Sequence, residues 1–242
     1  MKQSFFQIEE NASLTGAVHR LRLRGDVSAI TKPGQFVNIK LEGFALRRPF
    51  SVCDIEGDRL TVIYKATGRG TEKLSTLLPG TELDLLTGLG NGFDTALSGA
   101  KPLLLGGGVG LTPLFWLAKK LLAEGKQVTV VLGFNTKKEV FCEAEFKALG
   151  CAVTVTTADG SYGVSGFVTD AFPADYSHFY ACGPEPMLKA VCEAAGTSGQ
   201  LSFEARMGCG FGACMGCTCQ TLAGPKRICR DGPVLRREEI LW

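Results

Sequence analysis

Pro102-Leu103-Leu104-Leu105-Gly106-Gly107-Gly108-Val109-Gly110-Leu111-Thr112-Pro113 is the stretch on which the fold turns. An apolar run entering a glycine cluster reads as a buried strand that ends in a tight loop. Thr112 can cap a helix beginning there, and Pro113 suits a first helical turn. Leu114, Leu117, Ala118, Leu121 and Leu122 then recur on one helical face up to Glu124, with Gly125 closing the helix. Strand, glycine loop and helix in this order predict a doubly wound parallel α/β domain whose loop can receive a phosphate at a helix start. The loop is not G-x-G-x-x-G: the third glycine is missing and Pro113 intervenes, which disfavours a standard dinucleotide-dependent dehydrogenase. A loop needing only tight packing would be equally glycine-rich.

Working outward, further buried strands are expected at 128–132, 152–155 and 178–181, with helices near 139–149 and 184–195. Ala181-Cys182-Gly183-Pro184-Glu185-Pro186-Met187 again leads from a strand into a helix, so two strand ends offer helix N-termini to one crevice. Asp159-Gly160-Ser161-Tyr162-Gly163 reads as a wall of that crevice or as a plain loop. Residues 100–200 form this unit. Upstream, 1–99 read as a small antiparallel β-barrel: 34–41 and 59–65 alternate apolar and polar residues. Pro33-Gly34, Glu56-Gly57-Asp58 and Pro79-Gly80 supply the turns.

Inside the barrel segment, Arg47-Arg48-Pro49-Phe50-Ser51 gathers cations, a rigid turn, an aromatic ring and a hydroxyl. One arginine could grip a diphosphate, the phenyl ring could lie along an aromatic ligand, and Ser51 could bond a ring heteroatom. A surface arginine pair beside a core phenylalanine fits equally well. Gly68-Arg69-Gly70-Thr71 precedes a short helix expected over 72–78, a phosphate site or an ordinary turn.

The chain has 242 residues, 45% of them hydrophobic and 21% charged, enough for two modest domains and an appendage. Its 26 basic and 24 acidic side chains leave a net charge of +2, which offers no field for nucleic acid or an anionic membrane. The start, Met1 to Glu10, lacks the apolar core of a signal peptide, and no window approaches a membrane span. A cytoplasmic protein is expected. Ten cysteines are then not a secreted disulfide framework.

Half of those cysteines crowd into 209–229, as Cys209-x4-Cys214-x2-Cys217-x11-Cys229 with Cys219 at the wrong offset. Three thiolates at that spacing and a distant fourth match plant-type ligation of a [2Fe–2S] cluster. Gly208, Gly210, Gly212 and Gly216 let the loop wrap closely and turn its N–H groups toward sulfur. A structural zinc site is the competing reading, although zinc knuckles more often pair two C-x2-C units. Cys53, Cys142, Cys151, Cys182 and Cys192 lie scattered in apolar segments, as small buried hydrophobes do. His19 and His178 have no neighbouring nucleophile or acid, which argues against hydrolysis.

Taken together, Arg48-Pro49-Phe50-Ser51, Gly70-Thr71, the glycine loop, Cys182-Gly183-Pro184 and the cysteine run resemble the ferredoxin reductase superfamily with a C-terminal cluster. More narrowly, the segment from Glu204 to Cys217 and Cys229-Arg230-Asp231-Gly232-Pro233-Val234 resembles the electron-transfer subunits of NAD-linked dihydroorotate dehydrogenases. The resemblance implies FAD at Arg48, Pro49, Phe50, Ser51, Ile63, Tyr64, Lys65, Gly70 and Thr71, in the barrel domain 1–99. It implies NAD at Gly106, Gly107, Gly108, Val109, Gly110, Cys182 and Gly183, with Cys182 lining the hydride path, and a [2Fe–2S] cluster on Cys209, Cys214, Cys217 and Cys229 in a small domain 201–242. It further implies a partner, an FMN-containing dihydroorotate dehydrogenase catalytic subunit, in a heterotetramer of two of each, serving pyrimidine (UMP) synthesis. No catalytic residue of its own is expected. The rival assignments are a reductase subunit of a hydrogenase or of a ferredoxin-dependent transhydrogenase, and a zinc-stabilised nucleotide-binding module. Lys137 and Lys138 follow the second strand of the nucleotide domain, where NADP would present its 2′-phosphate, while the resemblance favours NAD.

Overall fold

The computed structural model describes residues 1–242. Strands β1 (Lys2–Ser13), β2 (Val18–Gly25), β3 (Phe36–Ile39), β4 (Arg48–Glu56) and β5 (Arg59–Lys65) are followed by the short helix α1 (Arg69–Ser75) and by β6 (Glu82–Leu89). The strands close into an antiparallel barrel in the order β1-β2-β5-β4-β3-β6, which leaves no free edge. Period-2 alternation builds its core. Leu21 faces Val62 and Leu23 faces Leu60 across β2 and β5, all fully buried, while Arg20 and Arg22 of β2 face outward and pair with Glu10. The expected helix over 72–78 instead begins at Arg69 and ends at Ser75. Thr71 causes the shift: its Oγ1 accepts the N–H groups of Thr67 and Gly68 and donates to the Gly68 carbonyl, which winds the turn earlier.

The second half alternates β7 (Pro102–Gly107), α2 (Thr112–Ala123), β8 (Thr129–Phe134), α3 (Glu143–Ala148), β9 (Ala152–Thr157), β10 (Val164–Ser165), β11 (His178–Cys182), α4 (Glu185–Ala194) and β12 (Gly199–Ser202). These strands form one parallel sheet, joined at its end by the antiparallel β15 (Val234–Arg236), in the order β10-β9-β8-β7-β11-β12-β15. Leu103, Leu104 and Leu105 are wholly buried, as strands covered on both faces must be. The helix expected over 139–149 is shorter than its pattern suggested: only 143–148 is α-helical, preceded by Cys142 in a left-handed conformation. Residues beyond 200, expected to lack regular structure, hold β12, β15 and a hairpin of β13 (Thr218–Thr221) and β14 (Gly224–Arg227). The cluster segment therefore shares a sheet with the nucleotide-binding half.

Helix α2 also packs on β4, and Lys119 pins that contact through Asp54 and the exposed Glu56. Lys119 Nζ lies 2.7 Å from Asp54 Oδ2 at a β4 bulge. Burial pushes the Asp54 pKa up further than Lys119 pulls it down. Lys119→Met leaves that carboxylate without its partner and should cost about 1–3 kcal/mol at neutral pH. Because the folded pKa of Asp54 is raised, acidification neutralises the carboxyl and removes the penalty. Urea unfolding of K119M should therefore differ most from the parent at pH 7 and converge with it as pH falls through that pKa.

Candidate functional site

At the C-terminal ends of β7, β8 and β11 lies a cleft of about 610 Å³, bordered by Gly107, Gly108, Val109, Gly110 and Gly183. This is the crevice that strand order in an open α/β sheet creates. Gly110 is there for contact between backbones: a Cβ would lie 2.4 Å from the Cys182 carbonyl oxygen and 2.7 Å from the Gly183 Cα. Two predicted residues stand back from the cleft. Gly106 is packed against Leu111, and Cys182 is 3% exposed, below the cleft floor. Burial pushes the Cys182 thiol up to about 12. It lies beneath the residues that line the cleft.

Four residues that sequence reading missed border the same cleft. Thr156, at the end of β9, has a buried Oγ1 with no partner, a polar group left for a ligand. Glu139 faces the cleft while its Oε2 accepts from the N–H and Nδ2 of Asn135. Asn135 itself borders the opening, and Lys137 is turned away, its Nζ 5.6 Å from the Tyr162 ring centre. Glu204 follows β12, and burial raises its carboxyl pKa. In the sequence it opens the segment that carries the family resemblance, with no ligand role assigned to it. Lys65, at the end of β5, reaches the cleft from the barrel, so the predicted flavin strand adjoins the nucleotide crevice.

In the barrel the structure chooses between the two arginines. Arg47 is spent on Asp84, at 2.7 Å, and on the Asp84 carbonyl. Arg48 stays available: its guanidinium stacks 4.9 Å from the Phe44 ring centre, and Nη1 donates to the Leu46 carbonyl at 2.6 Å. Gly70 makes room for it, since a Cβ there would lie 2.5 Å from Arg48 Nε. A fixed guanidinium over the first turn of α1, whose leading N–H groups have no helical acceptor, fits a diphosphate. Phe50 is buried, its ring tilted against Tyr64 with 5.5 Å between ring centres. Tyr64 donates to Asn11 Oδ1 and stacks on His19. Ile63 is buried, while Pro49 and Ser51 are half-exposed on β4.

The four predicted cluster cysteines fall into two pairs. Cys209 Sγ accepts from the N–H groups of Ala213 and Cys214, and Cys214 Sγ accepts from the Cys209 N–H; Cys217 Sγ accepts from the Cys229 N–H. Burial raises the Cys209 pKa, but the N–H groups of Cys214, Phe211 and Ala213 outweigh it and bring the thiol down to about 6. Donors aimed at sulfur are what a thiolate-held cluster requires. Two thiol pairs suit two irons. Cys219 lies on β13 outside both pairs. Leu89 and Phe36 of the barrel pack with Cys217, Ile228 and Cys229, seating the cysteine segment on the barrel.

Comparison with known proteins agrees with this geometry. Residues 204–241 match the model of the iron–sulfur cluster binding domain of dihydroorotate dehydrogenase B, and 104–193 match that of the oxidoreductase NAD-binding domain. The dihydroorotate dehydrogenase B (NAD(+)) electron transfer subunit of Geobacillus sp. (strain WCH70) is 42% identical over 100% of this chain and 99% of its own. This chain belongs to that family. The subunit of the same name from Fusobacterium nucleatum is 40% identical over 99% of both chains. Among solved structures, an NADH-dependent reduced ferredoxin–NADP oxidoreductase studied for flavin-based electron bifurcation superposes with a TM-score of 0.89 at 32% identity, covering 98% of this chain and 90% of that one. The dihydroorotate dehydrogenase B electron-transfer family is thus built here as a reductase barrel, a nucleotide sheet and a cysteine segment. No helix is long and apolar enough to cross a membrane.

Proposed function

We infer that the protein is the electron-transfer subunit of an NAD-linked dihydroorotate dehydrogenase, an oxidoreductase subunit carrying FAD and a [2Fe–2S] cluster and delivering electrons to NAD. The observation that carries this reading is the seating of Cys217 and Cys229 on barrel residues Phe36 and Leu89, with barrel residue Lys65 at the nucleotide cleft. Three sites adjoin in one chain. FAD supplies the conversion between hydride and single electrons. Arg48 holds its diphosphate, with Pro49, Phe50, Ser51, Ile63, Tyr64, Lys65, Gly70 and Thr71 shaping the rest of the site. Gly107, Gly108, Val109, Gly110 and Gly183 seat NAD, over Gly106 and Cys182, and Cys209, Cys214, Cys217 and Cys229 hold the cluster. These roles divide the chain at 1–99, 100–200 and 201–242. The partner is an FMN-containing catalytic subunit that oxidises dihydroorotate, two of each chain assembling in the cytoplasm for UMP synthesis.

Coexpression with such a catalytic subunit tests the reading. Dihydroorotate-dependent NAD reduction should require both chains. A catalytic subunit that reduces NAD equally well alone, or a purified full chain with neither flavin absorption nor a reduced-cluster EPR signal, would overturn it. The 0.89 TM-score to the ferredoxin–NADP oxidoreductase supports a second reading, a reductase subunit driven by reduced ferredoxin. NAD reduction by ferredoxin, and none by dihydroorotate, would favour that one.

Glu139 at the cleft, with Lys137 turned to Tyr162, supports NAD over NADP. A carboxylate there accepts ribose hydroxyls and repels a 2′-phosphate. Glu139→Ala should lower the preference for NADH over NADPH, read as the ratio of kcat/KM, by about tenfold.

A further inference from the structure

Asn38 is the side chain on which the flavin-side strands and the cluster loop meet. It lies on β3 directly opposite Pro49 of β4, and it is 1% exposed. Its Nδ2 donates to the carbonyl of Cys209 at 3.3 Å, across 171 residues of sequence. Gly210 fits beneath it: the φ there is +79°, and a Cβ would lie 2.3 Å from Asn38 Nδ2. The amide oxygen, Oδ1, is buried with no partner at all. An unsatisfied buried acceptor costs about 1–3 kcal/mol, so stability alone would favour leucine at this position. Every neighbouring position of β3 obeys that rule: Phe36, Val37 and Ile39 are buried and apolar. A lone amide that weakens the strand yet bonds a predicted cluster ligand is kept for what it does to that ligand.

We propose that Asn38 is a positioning residue of the flavin–cluster junction: by holding the Cys209 carbonyl it fixes the cluster loop against strands β3 and β4, where electrons cross between FAD and the cluster. The inference rests on the cofactor roles proposed above. In the direction that is simplest to trigger, NADH gives up a hydride and becomes NAD+, the flavin is reduced by two electrons, and one of these then reduces the cluster by one electron. Asn38 bears on the second transfer alone.

Asn38→Leu and Asn38→Asp in the full chain separate the possibilities. Leucine removes both polar atoms; aspartate keeps the acceptor and loses the donor to Cys209. In both variants, flavin bleaching by NADH in stopped flow should match the parent, and appearance of the reduced-cluster EPR signal should slow by about tenfold, the scale at which residues supporting a metal ligand act. Without any cofactor turnover, backbone amides at 209–216 should exchange hydrogen faster in both variants, while the melting temperature of N38L stays at or above that of the parent. An unchanged cluster-reduction rate in N38L overturns the proposal. So does an N38D that behaves as the parent, or an N38L that loses its cluster or melts lower, since Asn38 would then be a structural prop. A parent chain in which NADH reduces the flavin but never the cluster would instead sink the functional reading itself.

Discussion

Cys229→Ser is expected to give a chain that keeps its flavin and has no reduced-cluster EPR signal. Cys229 is 2% exposed, its thiol pushed up to about 12 by burial and by Cys217 beside it. A thiolate in that position exists only when a metal compensates its charge. Serine offers a hydroxyl that at neutral pH does not ionise and that soft iron–sulfur chemistry binds poorly. The loss should exceed the roughly 10–100-fold typical of supporting residues, because a ligand itself is removed. Flavin absorption should be spared, as Arg48 and Gly70, which would hold the diphosphate, belong to β4 and α1 and not to the cysteine segment. Cys219→Ser is the control: on β13 and outside both thiol pairs, it should keep full iron content. Loss of iron in C219S and retention in C229S would reverse the ligand assignment.

Gly110→Ala should close the nucleotide crevice. The new methyl would stand 2.4 Å from the carbonyl oxygen and 2.6 Å from the carbonyl carbon of Cys182, and both are backbone atoms at the end of a buried central strand. Neither can rotate away as a side chain could. The loop must shift, at about 1–3 kcal/mol for overpacking, and the shift falls on the segment that would seat the pyrophosphate. Flavin reduction by NADH should fall far more than stability does, with KM rising, while the cluster EPR signal after chemical reduction is unchanged. Gly196→Ala, with nothing within 4 Å of its Cβ, should be silent in both measurements. A G110A chain with the parent's KM for NADH would show that the nucleotide does not use this loop.

The strand-loop-helix segment at 102–124 was readable because each of its signals is local: an apolar run, glycines, a proline at the first turn and one apolar face. The cysteine spacing was readable for the same reason. What escaped was set by distant partners. Which arginine of the pair stays free depends on Asp84, whose carboxylate takes Arg47 from 37 residues away. That Phe50 packs on Tyr64 depends on the adjoining strand and not on its own segment. Thr156 and Glu139 carry no motif, and only the assembled sheet brings them to one cleft with Glu204. The pairing of Val234–Arg236 with Gly199–Ser202 joins segments too far apart for any periodicity to reveal.

That last pairing bears on how the metal centre is made. Gln200, Leu201 and Ser202 zip to Arg236, Leu235 and Val234 through protein contacts alone, so everything between is a loop already closed at its base. The entropy of bringing the distant fourth cysteine back to the other three is met by the sheet rather than by iron. A zinc finger relies on its ion for that closure; here the base of the cysteine segment is tied by strand pairing that no ion supplies.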